Sequence, residues 1–218
     1  MPTAFLKITA AALAAVAPLA RAHDGHDHSG LLAGLAHPIG GVDHLLATLG
    51  IGLVAGIAVA ARSGSRVPAT GPAPGLGQPA AALALGLVLG AVAALLTALG
   101  APQAVGGFAP GVEGAVALGL LALAVAVVGA ERIGTVGMGL LAAAVAVPHG
   151  WLHATEGGGS AAFMIGLALT SAGLFAGGTR LGHALTLRAS PRAATAWRRL
   201  AAAGYAGTGV MLLVAGLR

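Results

Sequence analysis

Polar residues along this chain are few and grouped, and the stretches between the groups are long. Six blocks, 45–61, 79–99, 112–130, 133–151, 161–177 and 200–217, are free or nearly free of charge. Each is close to the ~20 residues that carry an α-helix, at about 1.5 Å per residue, through a hydrocarbon layer about 30 Å thick. The fold class this predicts is all-α, a polytopic transmembrane helix bundle of about six spans. Gly, Pro and Ser mark the connections 62–78 and 100–111. Residues 180–199 read as a basic loop with room for a short interfacial helix. An earlier apolar block, 8–19, follows Lys7 and precedes Ala20-Arg21-Ala22. That is the order of a secretory signal peptide with its small-residue cleavage site. Residues 1–22 are therefore expected to be removed, against the competing reading of an uncleaved first helix. Residues 23–30 become a His-rich N-terminus, and 31–218 a single transmembrane domain.

Composition agrees with this picture. Hydrophobic residues make up 57% of the 218 and charged residues 8%, against about a quarter charged in soluble domains. An ordinary soluble enzyme and a disordered chain are both excluded. Small residues four apart, Gly52/Gly56, Gly86/Gly90 and Gly173/Gly177, predict close approach of helix backbones. The absence of cysteine removes disulfides, thiolate metal sites and a cysteine nucleophile.

The net charge of +5 does not point to nucleic acid, because the arginines are scattered between apolar spans and aromatics are only 3%. Loop arginines set orientation instead. Without Lys7 and Arg21, nine of the 11 basic residues remain. Eight of them, Arg62, Arg66, Arg132, Arg180, Arg188, Arg192, Arg198 and Arg199, fall in or beside alternate connections. Six spans with both ends outside put all eight inside.

Ionisable groups near a hydrocarbon layer are costly, so their placement carries information. His37-Pro38-Ile39-Gly40-Gly41-Val42-Asp43-His44 precedes the first span. Pro38 and the glycine pair predict a break, with a short apolar turn over 31–36 ending at His37 and a new helix starting near Asp43. His149 and His153 are four apart at the end of the fourth span and share one helix face, with Glu156 seven from His149. Alternating spans bring both clusters to the outer side. Imidazole and carboxylate without thiolate suit Ni²⁺, Co²⁺, Zn²⁺ or Cu²⁺. His23, His26 and His28, with Asp24 and Asp27, offer a weaker site, read as a flexible collector of cations. The bland alternatives are a cap at Asp43, interfacial histidines and a solvated tail. Glu113 reads as a cap or interface residue, and His183 as solvated in the basic loop. No G-x4-G-K-[ST] loop occurs, so the energy is expected from the ion gradient, the membrane potential or a partner.

These residues carry a resemblance. HPIGGVDHLLATLGIGL resembles the H-x5-D-H motif of the HupE/UreJ family of bacterial nickel/cobalt permeases, and HGWLHATE resembles that family's second signature. The signal peptide, the histidine-rich start and the helix number match as well. Pro148, Leu152 and Ala154 depart from the second signature, and none of them removes a ligand. The resemblance implies uptake of Ni²⁺, or of Co²⁺, across the bacterial inner membrane, with the mature N-terminus periplasmic. It implies His37, Asp43, His44, His149, His153 and Glu156 as the metal residues of a single transport domain. It also implies hydrogenase or urease maturation proteins as downstream partners. The other partners expected are the ion and the lipid bilayer; no prosthetic cofactor and no catalytic residue are expected. The rival from another class is an intramembrane zinc hydrolase, with Glu156 or Asp43 as base.

Overall fold

The computed structural model describes residues 30–63, 111–156 and 160–216, with isolated helical positions at 81, 85, 86, 88, 89 and 92. Every element of three or more residues among them is helical. In chain order they are α1 (Leu31–Gly40), α2 (Val42–Ser63), α3 (Val112–Gly129), a 3-10 turn (Ala130–Arg132), α4 (Thr135–Glu156), α5 (Ala161–Arg188) and α6 (Pro191–Gly216). The last five helices are each long and apolar enough to cross a membrane, and α1 is a shorter apolar helix. The chain is a multi-pass membrane protein. The expected signal segment 1–22, the histidines at 23, 26 and 28 and most of the second predicted span lie outside the described residues.

Two expectations about local structure need correction. The first helix does not stop at His37. It runs through Pro38 to Gly40, and Gly41 alone is extended, at φ −93° and ψ 117°. Pro38 removes the N–H that would meet the Gly34 carbonyl, and its ring crowds that carbonyl. Two residues remain after it, so little helix is left to distort. Nor is 180–199 a loop. α5 continues to Arg188 and α6 begins at Pro191. Leu, Ala and Arg all favour helix, and long arginine side chains reach polar surroundings from a helix that is still partly apolar. The break falls where Ser190 caps α6, its Oγ accepting from the Ala193 N–H at 3.3 Å, with Pro191 at the first helical position.

α2 is the central helix, with Ile51, Val54, Ile57 and Ala58 fully enclosed. It packs on α5 with almost no side chain between them. A Cβ on Gly52 would strike the Phe175 carbonyl, and one on Gly56 the Thr179 carbonyl. In return, Gly178 abuts Leu49 and Gly182 abuts Leu53. Gly34 and Gly166 continue the contact between α1 and the start of α5. The α5 partners are therefore Gly178 and Gly182; Gly173 and Gly177 have open space beside them. The contacting residue numbers rise together, so α1 and α2 run parallel to α5, as alternating spans require of the first and fifth.

α3 and α6 are antiparallel: Gly209 lies against Ala117 and Leu121, and Gly216 near Glu113. Gly86, in the second predicted span, faces Ala146 of α4, while Gly90 is outside the described residues.

These pairings give the bundle two ends. One carries His37, His44, His149 and His153. The other carries arginines: Arg62 donates to the Ile133 carbonyl at 3.0 Å, and Arg198 pairs with Glu131 at 2.6 Å.

Candidate metal centre

Three helices supply the histidine cluster. His37 stands in the last turn of α1, Asp43 and His44 in the first turn of α2, and His149 and His153 near the end of α4. His44, His149 and His153 are 1%, 4% and 3% exposed, and His37 and Asp43 are half-buried. Residues more than a hundred positions apart thus meet in one enclosed volume. The His44 ring is at its centre, 4.3 Å from His153, 5.1 Å from His37 and 5.1 Å from His149, centroid to centroid. His37 and His153 are 5.0 Å apart, and His149 and His153 are 6.3 Å apart.

The donor atoms fall into two triads, His37/His44/His153 and Asp43/His44/His149. Within each, all atoms lie within 4.8 Å of one another.

Local structure sets these positions. The break at Gly41 turns the chain so that His37 and His44 face one another across it. Gly41 also carries no Cβ because the site occupies that space: a Cβ there would press on His44 Nδ1 and lie 3.1 Å from Asp43 Oδ1. Asp43 Oδ1 is 3.4 Å from His44 Nδ1. Its carboxylate suits the N-terminal end of α2 and offsets the positive potential a cation would meet there. α1 and α4 bring the opposite, negative ends of their dipoles to the cluster.

His149 Nδ1 is 2.7 Å from the Val145 carbonyl. Only a protonated Nδ1 can make that bond, so the ring's lone pair is on Nε2. A carbonyl that holds one ring nitrogen in this way orients the other toward a metal. Pro148, buried inside α4, takes an N–H out of the same turn.

The sequence reading missed one wall of the site. Phe163, fully buried in the first turn of α5, sets its ring edge-on to His37 at 5.3 Å. Ser160 caps that helix, accepting from the Phe163 N–H at 3.3 Å. A Ser-x-x-Phe at a helix start was a usable signal for the cap, but not for which ring Phe163 would face.

The remaining candidates stand elsewhere. Glu156 ends α4, and its side chain lies outside the described residues, as do His23, His26 and His28. Glu113 is exposed at the histidine end, in the first turn of α3. His183 is not solvated in a loop. It is part-buried on α5 at the arginine end, where Nε2 is shielded and has no hydrogen-bond partner among the described residues. The reason is the extension of α5, which places it on the tightly packed α2 flank beside Gly56.

No curated protein and no solved structure matches the chain. One protein family, HupE / UreJ protein, matches residues 11–212. Nickel/cobalt permease is that family's general function, and its members are transporters rather than enzymes. With nearly the whole chain covered, this protein belongs to the HupE/UreJ family.

Proposed function

We propose that the chain takes up Ni²⁺, with Co²⁺ as a second cargo, across a bacterial inner membrane. In this reading His37, Asp43, His44, His149 and His153 bind the ion, and Glu156 adds charge at the end of α4. The His23, His26 and His28 segment faces the periplasm and raises the local ion concentration. The cargo is the only metal, and no prosthetic group takes part. Hydrogenase or urease maturation proteins receive the ion afterwards.

One observation carries the reading: four imidazoles and a carboxylate from α1, α2 and α4 converge in an enclosed volume. Buried polar groups are costly unless something compensates them, and intramembrane ionisable residues mark ion paths. Nitrogen and carboxylate donors replace part of the water that a divalent ion sheds on entering. The donor set suits Ni²⁺ and Co²⁺ and disfavours Cu⁺, which selects thiolate and thioether. Binding must also permit release. An inward-negative membrane potential contributes about 2.3 kcal/mol per charge per 100 mV, and roughly twice that for a divalent ion.

Uptake of ⁶³Ni²⁺ into proteoliposomes holding only this protein tests the proposal. The expected result is protein-dependent accumulation that competes with Co²⁺. Accumulation no greater than in empty liposomes, under an imposed inward-negative potential, overturns it.

A further inference from the structure

Resting on the reading that this cluster binds the cargo, we propose that it is not one five-donor site. The geometry points to two overlapping stations for a single ion, with His44 common to both.

Metal–imidazole bonds are about 2.0–2.1 Å, so two donors on one ion stand no more than about 4.2 Å apart. Triads are the largest sets among the described residues whose donors come within 4.8 Å of one another. His149 and His153 stand 6.3 Å apart, centroid to centroid, and each belongs to a different triad. Four residues of helix separate them, about 6 Å along the axis. The His37/His44/His153 triad is therefore nearer the end of α4, and the Asp43/His44/His149 triad reaches one turn further in.

The chemistry of the stations follows this order. Near the helix ends, three neutral imidazoles suffice to replace water. The other triad, one turn further along α4 at His149, adds the Asp43 carboxylate from the start of α2 and so compensates the ion's charge. The deeper imidazole is also the pre-set one, its Nδ1 held by the Val145 carbonyl.

His44 limits occupancy. A neutral imidazole has one nitrogen with an available lone pair, so the shared ring serves one ion at a time. Transfer breaks the metal–nitrogen bonds to His37 and His153. It forms a metal–nitrogen bond to His149 and a metal–oxygen bond to Asp43. His44 is a ligand before and after, the count of protein donors stays at three, and no electron is transferred.

Purified full-length protein with Ni²⁺ alone tests this, using equilibrium binding, nickel-edge X-ray absorption to count imidazoles, and ⁶³Ni²⁺ uptake. Wild type is expected to bind one ion held by two or three imidazoles. His37→Gln/His153→Gln is expected to keep one ion with two imidazoles, and Asp43→Asn/His149→Gln one ion with three. Each is expected to weaken affinity by no more than about tenfold, the lower bound of losing a supporting group. Both pairs are expected to lose uptake, because the ion is stranded at one station.

Four imidazoles on the wild-type ion, or two ions per chain, overturns the proposal. So does loss of binding in either pair when its tryptophan fluorescence matches wild type, or full uptake by either pair. His44→Gln separates the two levels: if it binds Ni²⁺ as tightly as wild type, the site assigned under the proposed function is wrong, and not merely its division.

Discussion

The two ends of this bundle treat polar side chains in opposite ways. At the histidine end, His44, His149 and His153 are withdrawn from solvent and packed on one another. At the arginine end, the charges are held at the rim, and a single imidazole among the described residues, His183, is part-buried there apart from any cluster. Arg62 reaches a carbonyl, Arg198 pairs with a half-exposed Glu131, and Arg192 and Arg199 line an open pocket at the start of α6. Rim charges are inexpensive and fix orientation. Enclosed imidazoles cost free energy unless each is given partners, and leucines would fill the same volume without that requirement. The contrast teaches where to look for function: at the end where the fold bears a cost it could have avoided.

The largest effect that would test this contrast is at His44. His44→Ala is expected to lower ⁶³Ni²⁺ uptake at least about a hundredfold, the upper range for losing even a supporting metal group, with normal amounts in the membrane. Uptake near wild type would remove the distinction between the ends. Next in size is Gly52→Leu. Overpacking an ordinary core costs about 1–3 kcal/mol, and here the new side chain meets backbone. The expected outcome is little folded protein, read by detergent-solubilised size exclusion.

A smaller effect is expected from Gly41→Ala. Its Cβ would displace the His44 ring, so uptake is expected to fall about tenfold, as for losing a positioning partner, while abundance is unchanged. A loss of abundance would instead make Gly41 a folding residue. The smallest effect belongs to the arginine end. Glu131→Gln breaks an exposed pair worth at most about 1 kcal/mol, and uptake is expected to stay within about twofold of wild type. A larger loss there would give that end a part in transport.

Much of this was legible in the sequence. Charges are so rare that the gaps between them mark the spans, and five of the six predicted blocks lie on described helices. The two histidine signatures stood out for the same reason, and alternation of spans brought them to one side. What could not be read was register. Gly173, Gly177, Gly178 and Gly182 offer two small-residue pairs on one helix, and only the partner helix selects 178 and 182. The loop expected at 180–199 failed because arginine marks an interface, and a helix can cross an interface without stopping. His183 was misplaced by the same error. Pro38 and the Gly40-Gly41 pair together predicted a break, with the helix ending at His37. The break came three residues later, at Gly41, because a proline near a helix end has little helix left to disturb.

The glycine contact between α2 and α5 has a mechanical consequence. At these glycines the helices meet backbone to backbone with no layer of side chains between them, so α1, α2 and α5 pack as one unit. His37, Asp43 and His44 ride on that unit, while His149 and His153 ride on α4. Every triad of donors is therefore split between two parts, like the jaws of a clamp. A displacement of α4 by a fraction of an ångström would change the donor spacing within both triads without any rotation of a side chain.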